Sequence, residues 1–281
     1  MKILQSSRPL CFAILYFMIT PVIHGQDSNK CYKANKVADR VWAIVENNTV
    51  NIYLVEGKDS TLVIDAGYGS GDLKAYLQTL TKLPLMLVNT HGHGDHTGSD
   101  NQFPEIYAHP DDFGLINAGF DENRQPIAIQ SKDVALPVLI PVREGHVFDL
   151  GGRKLEVIEV PGHTHGSICL LDKDNKILFA GDHTNGIVWL FLKDCYPLEV
   201  YLKSLQKVEA RMDEYDIIMP GHNTPLEKTF ISEQIACVKS ILDGTCSPVP
   251  YHYSSFTAGA LLCKYKTAEV AYDPDNLYEK K

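Results

Sequence analysis

The sequence predicts an α/β fold. Two patterns do so: short runs rich in β-branched and apolar residues that close on Gly or Asp, and, between them, segments whose apolar residues recur every three or four positions. Strands alternating with helices in two successive halves require helices packed on sheet. At 281 residues, 44% of them hydrophobic, the chain can bury a full core, and one domain over residues 26–281 fits the pattern better than two.

Taken in order, a polar segment at Asp27 to Lys36 precedes strands at Val41 to Val45, Asn51 to Glu56 and Thr61 to Ile64, the last closing on Asp65-Ala66-Gly67. Gly71 to Lys82 places Leu73, Tyr76, Leu77 and Leu80 on one helical face. Leu85 to Val88 reads as a buried strand and runs straight into Thr90-His91. A second round follows, with a strand at Glu105 to Ala108 and a helix from Asp111. Gly119 to Pro141 has three prolines and no period, and so reads as a surface or lid loop. Strands are then expected at Val147 to Leu150, Lys154 to Val160, Ser167 to Leu171 and Lys176 to Ala180. Pro197 to Arg211 reads as a helix with proline at its first position, Asp216 to Met219 as a strand and Phe230 to Leu242 as a helix. Alternation from Tyr251 to Asp273 suggests a closing hairpin.

Met1 to Gly25 has the order of a secretory signal: Lys2 and Arg8, then the apolar run Leu10 to Ile23, then a small residue. That run is too short to favour a membrane span, so the expectation is a secreted or periplasmic protein beginning near Gln26, with no stable membrane insertion after cleavage. The net charge is −9, and loss of Lys2 and Arg8 makes the mature chain more acidic still. Phosphate backbones repel such a surface, and no Lys/Arg run offers a basic groove, so nucleic acid is not an expected partner and a small-molecule substrate is. Without Cys11 six cysteines remain, which permits three disulfides but fixes no pairing. Cys169, Cys237 and Cys263 lie in apolar stretches and read as buried thiols.

Chemistry concentrates in Thr90-His91-Gly92-His93-Gly94-Asp95-His96-Thr97-Gly98, where four ligand-type residues occupy six positions at the end of a strand. That density suits a bound cation. Three later segments repeat the character, each a strand end leading into a loop: Pro161-Gly162-His163, Gly181-Asp182-His183 and Pro220-Gly221-His222. Imidazoles with a few carboxylates suit zinc best, while iron and manganese also accept such ligands. His165 and His183 sit beside the motifs and read equally as substrate-facing or simply exposed; His109, His146 and His252 lack motif context and read as surface residues. No GxSxG elbow surrounds Ser167, which argues against a serine nucleophile.

HxHxDH followed by a later His, a later Asp and a final His resembles the motif series of the metallo-β-lactamase superfamily, and Asp65 looks like that family's first motif. The match runs from Asp65 to His222. It implies a four-layer αββα sandwich with metals at one edge between the sheets. It also implies that His91, His93 and His163 bind one metal, that Asp95, His96 and His222 bind a second, and that Asp182 bridges them. Asp65 would steady the ligand loop from behind. Two zinc ions would then lower the pKa of a shared water toward neutrality, with Asp95 orienting the resulting hydroxide.

A bridging aspartate resembles the glyoxalase II, lactonase and phosphodiesterase branches, since β-lactamases proper usually carry Cys or Ser there. Only forty positions separate Asp182 from His222, too few for the inserted domain of the nuclease branch. Asn185 stands where acyl-homoserine lactonases often place a tyrosine, and the C-terminal region lacks the basic clusters of glyoxalase II, so the likeness to the latter is confined to the metal site. The expected activity is hydrolysis of an ester, thioester, lactone or lactam. Alternatives are a mononuclear iron oxygenase like the persulfide dioxygenases, a β-lactamase proper, or a metal-binding protein without turnover. Loops around Gly119 to Pro141 and Asn185 to Pro197 would wall the pocket, with Trp189, Leu190 and Phe191 as an apolar face.

Overall fold

A computed structural model describes residues 30–118, 137–257 and 259–280. The expected signal segment and most of the expected lid loop lie outside these residues. The first sheet holds seven strands in chain order: β1 (Tyr32–Ala38), β2 (Val41–Glu46), β3 (Val50–Glu56), β4 (Thr61–Ile64), β5 (Leu85–Val88), β6 (Glu105–Ala108) and β7 (Val138–Pro141). Its first four strands are antiparallel and β4 to β7 are parallel. Helix α1 (Leu73–Leu80) provides the β4–β5 crossover and is capped by Asp72, whose side chain accepts from Ala75 N at 2.9 Å.

The second sheet contains β8 (Val147–Asp149), β9 (Lys154–Glu159), β10 (Ile168–Asp172) and β11 (Ile177–Gly181). After β12 (Ile187–Leu190) departs, β13 (Ile217–Pro220) pairs parallel with β11 and β14 (Leu226–Glu227) forms the edge. A third, smaller sheet joins β12 to β15 (Val249–Pro250), β16 (Leu261–Tyr265) and β17 (Ala268–Tyr272), with β12 parallel to β17. The remaining helices are α2 (Gly94–Thr97), α3 (Phe113–Ala118), α4 (Leu198–Glu209) and α5 (Phe230–Leu242).

Three apolar clusters define the layers. Tyr53, Leu62, Ile64 and Val88 of the first sheet meet Phe148, Val157, Leu170 and Phe179 of the second, filling the space between them. Leu73 and Leu77 of α1 cover the outer face of the first sheet with Ile52, Leu54 and Val63. Tyr201, Leu205, Ile235 and Val238 of α4 and α5 cover the outer face of the second sheet, together with Val188 and Val270 of the third. The result is the expected αββα sandwich.

Four sequence readings change. The polar segment before Val41 is partly strand β1: its exposed residues face water as edge strands allow, while Tyr32 is buried. Val138–Pro141, expected in an irregular loop, forms β7 against β6. Ile187–Leu190, also read as loop, is β12, and Leu190 turns into the core while Trp189 faces away from it. Cys263, read as a buried thiol, is disulfide-bonded to Cys246 with a Cα–Cα distance of 6.3 Å, fastening β16 to the segment after α5. Among the described residues no helix is long and apolar enough to cross a membrane.

Candidate metal centre

Four of the proposed ligands, and Asp65 behind them, stand just beyond the carboxyl end of a strand: Asp65 after β4, His91 after β5, His163 after β9, Asp182 after β11 and His222 after β13. Parallel pairing of β4 with β5 and of β11 with β13 brings these ends to one edge of the sandwich, where open α/β sheets place their sites. Helix α2 adds Asp95 and His96 in its single turn, with His93 as N-cap. Gly221 admits no side chain there, since a Cβ would stand 2.2 Å from Asp182 Oδ1 and 2.8 Å from His96 Cε1.

All seven expected ligands come together. His91, His93 and His163 form one group, Asp95, His96 and His222 a second, and Asp182 joins His91 and His96 in a third; within each, the ligand atoms lie within 4.8 Å of one another. Asp182 Oδ2 is 3.7 Å from His163 Nε2 and 3.4 Å from His222 Nε2, and its Oδ1 is 3.5 Å from His96 Nε2, so this one carboxylate faces both halves. Asp95 Oδ2 lies 3.2 Å from His222 Nε2.

Behind the centre, every imidazole has one nitrogen committed to an acceptor, which turns the other inward. His96 Nδ1 donates to Asp65 Oδ2 (2.9 Å), His93 Nε2 to Asp194 Oδ2 (2.7 Å), His163 Nδ1 to Trp189 O (2.8 Å) and His222 Nδ1 to Thr49 O (2.9 Å). His91 Nδ1 pairs with Thr90 Oγ1 at 3.1 Å, and Thr90 Oγ1 in turn donates to Asp65 Oδ2 at 2.9 Å. Asp65 also takes the Thr90 N–H at 2.7 Å and has a φ of +66°, a conformation uncommon outside glycine and Asn/Asp. Through these bonds it joins the turn after β4 to Thr90, His91 and His96.

His91 Nε2 and Asp182 Oδ1 are buried without a hydrogen-bond partner. Burial of unpartnered polar atoms is costly, and here both point among other donors, as a cation site requires. Burial, then the neighbouring imidazoles, holds His91 well below the usual histidine range, and burial followed by His93 brings His163 down to about 4. Those rings are neutral and keep a lone pair to give. On the other side burial again works against charge, but Asp182 and Asp95 overcome it and raise His222 to about 12. Burial likewise opposes ionisation of Asp95, yet His96 and His222 bring its carboxyl down to about 2. The donor set therefore fits divalent cations, with carboxylate charge concentrated where a second ion would neutralise it.

Sequence reasoning missed two residues. Asp194 lies in a stretch without any motif, and only the fold carries it to His93. Asp112 is buried 20 positions beyond Gly92 and accepts from Gly92 N (2.8 Å), Thr164 Oγ1 (2.6 Å) and Gly166 N (2.7 Å), tying the His91–His93 loop to the His163 loop. His109, read as a surface residue, is buried and paired with Glu159 at 2.9 Å. His165 is exposed and stacks on Tyr196, whereas His183 is buried against Tyr201 with neither ring nitrogen partnered. Asn185 accepts the backbone N–H of His222 at 3.1 Å.

The family model described as the metallo-beta-lactamase superfamily matches residues 46–222, from the end of β2 to the last of the candidate ligands. The chain belongs to the metallo-beta-lactamase superfamily. Within it, the chain is 34% identical over 206 residues to the acyl-coenzyme A thioesterase MBLAC2 of Gallus gallus, covering 62% of this chain and 73% of that relative. It is 28% identical to the hydroxyacylglutathione hydrolase GloC of Haemophilus influenzae, over 45% of this chain and 62% of that one. A metallo-beta-lactamase from Pontibacter korlensis superposes with a TM-score of 0.58 at 18% identity, over 74% of this chain and 99% of that one, a likeness of fold. This superfamily member is a hydrolase whose relatives include thioesterases.

Proposed function

We propose that this chain is a zinc-dependent thioester hydrolase acting on a small acyl thioester. The observation that carries the reading is the convergence of seven ligand atoms around Asp182, with both halves of the set complete. His91, His93 and His163 would hold one zinc, Asp95, His96 and His222 the other, and Asp182 both. Two zinc ions so held supply a hydroxide at neutral pH and polarise a carbonyl oxygen. A complete second group favours hydrolysis over the chemistry of a single iron, which needs only one group.

The protein's own part is to position the reactants. Asp95 Oδ would accept a hydrogen bond from the attacking water, which has given up one proton, and fix its direction toward the acyl carbon; the new C–O bond forms first as the carbonyl opens, and the C–S bond breaks when the carbonyl re-forms and expels the thiolate. The departing thiolate, whose thiol titrates at about 8.5, is a far weaker base than an alkoxide and needs little help from an acid to leave. For the acyl group, the side chains of Trp189, Phe191, Tyr251 and Tyr253 cluster on the strand whose Trp189 carbonyl fixes His163, and would offer an apolar surface. Trp189 lies 5.4 Å from Phe191 and 5.1 Å from Tyr253, and its Nε1 donates to Tyr251 Oη at 3.0 Å.

Purified protein should release thiol from acyl-coenzyme A or hydroxyacylglutathione faster than it opens chromogenic lactams or lactones. Two zinc ions should be found by elemental analysis, and a chelator should abolish the activity until zinc is added back. Thioester turnover by rigorously metal-free protein, or preferential lactam opening, would overturn the reading.

We also propose that the chain is exported, supported by its N-terminal segment and by the Cys246–Cys263 disulfide, which suits an oxidising compartment. N-terminal sequencing from the native host should begin near Gln26; an intact Met1 would refute this.

A further inference from the structure

Two histidines of the second ligand group are held through one buried residue outside the centre. Glu46 ends β2 and is fully buried. One of its carboxylate oxygens accepts the backbone N–H of Tyr68 and the other that of Ser70, both at 2.7 Å. These donors belong to the loop after β4, in which Gly67 and Gly69 have φ of +62° and +80°. That loop is bonded to the turn bearing Asp95 and His96: Ala66 N donates to His96 O and Gly98 N to Gly67 O, each at 2.7 Å, and Ser99 N to Ala66 O at 3.1 Å. A Cβ on Gly69 would collide with the Gly98 carbonyl, and one on Gly98 with the carbonyl of Tyr68. The two backbones are in contact, so the position of α2 follows that of the loop.

The main chain of Glu46 reaches His222 by another route. Its carbonyl accepts the Thr49 N–H at 3.0 Å and the Thr49 hydroxyl at 3.1 Å, closing the tip of the β2–β3 hairpin. Thr49 O then accepts from His222 Nδ1 at 2.9 Å. The two routes are joined where Asn47 Nδ2 donates to Ser70 Oγ at 2.7 Å. The first group leans on other elements: His93 on Asp194, His163 on the Trp189 carbonyl and His91 on Thr90. A buried carboxylate is costly unless hydrogen-bonded, and a short loop with two glycines could leave its N–H groups to water. Here the carboxylate is packed so closely under the loop that a Cβ on Gly67 would strike Oε2. Fixing ligands from behind in this way is how outer residues tune a metal site.

We propose that Glu46 is a positioning residue for the second metal, setting His96 through its side chain and His222 through its carbonyl, so that the two imidazoles and Asp95 converge on one point. This rests on the two-zinc reading.

The test titrates zinc into metal-free wild type and Glu46→Gln against a competing chelator, with unfolding of the metal-free proteins measured alongside. In the variant the amide N–H₂ must face the N–H of Tyr68 or of Ser70, so one backbone donor loses its acceptor and the loop shifts. The second group should bind zinc about 10- to 100-fold more weakly, and the first should stay within about threefold of wild type. Two backgrounds identify the group affected. With His93→Ala, which leaves only the second group complete, Glu46→Gln should still weaken binding about 10- to 100-fold; with His222→Ala, which leaves only the first, it should change binding by less than about threefold. If Glu46→Gln does not fold, Glu46→Asp, one methylene shorter and unable to reach both donors, should show the same split. A wild type that binds a single zinc would overturn the two-zinc reading and this inference with it. A wild type that binds two, beside variants that bind both as tightly, lose both equally or do not fold at all, would overturn the role of Glu46 alone.

Discussion

Replacing Asp112 with asparagine tests whether the two ligand loops are held by a single buried carboxylate. In the native protein its oxygens take three donors, Gly92 N and Thr164 Oγ1 on Oδ2 and Gly166 N on Oδ1. Asparagine keeps one oxygen. If that oxygen stays with Gly92 and Thr164, the new amide N–H₂ points at the Gly166 N–H, and two donors face each other in a site only 1% exposed. The lost charge-assisted bond and the stranded donor together cost about 3 kcal/mol. For a chain of this size that corresponds to roughly 6–12 °C in melting temperature. Urea and thermal unfolding of the metal-free protein measure it directly, and zinc titration against a competing chelator should show affinity weaker by about 10- to 100-fold. A variant that melts with the wild type and binds zinc with unchanged affinity would refute Asp112 as the tie.

Asp194→Ala removes the acceptor behind His93, and zinc affinity should fall by about 10- to 100-fold in the same titration; an unchanged value would remove Asp194 from the centre. Asp182→Ala should lose both metals, since its carboxylate faces both groups, whereas His183→Leu should retain both; elemental analysis giving the reverse pattern would reverse the assignment. A hydrogen bond from Arg211, then one from Lys173, draws the Glu214 carboxyl from its ordinary value of 4.5 down to about 2. A depressed folded pKa contributes stability that is present above pH 4.5 and is lost as pH falls toward 2, so Arg211→Gln should flatten the acid-side decline across that window. An identical slope in denaturation from pH 5 to 2 would show that this ion pair contributes nothing.

The centre was legible because its chemistry is local: HxHxDH needs only one turn of backbone, and the other ligands follow strands that the alternating pattern already marks. The sandwich followed for the same reason, since β2 to β6 and β8 to β11 each bury an apolar run. What escaped is set by approach in space. Asp112 sits near the start of a helix, where an acid ordinarily needs no other explanation than the helix dipole. Asp194 meets His93 across 101 positions, and the Cys246–Cys263 pairing depends on α5 returning beside β16. β1 hid because an edge strand keeps one face polar, and β12 because its partner, β17, comes some eighty residues later.

That late partner bears on how the protein comes into being. β12 carries the Trp189 carbonyl that orients His163, and on one side it is braced by Ala268–Tyr272. During synthesis every ligand through His222 leaves the ribosome before this brace exists. The nascent chain thus displays a full set of imidazoles and carboxylates with one of them unsupported, and any grip on metal would mature only when β17 docks. Shortening the chain before residue 268 would therefore show itself as a defect in metal retention, although every ligand would still be encoded.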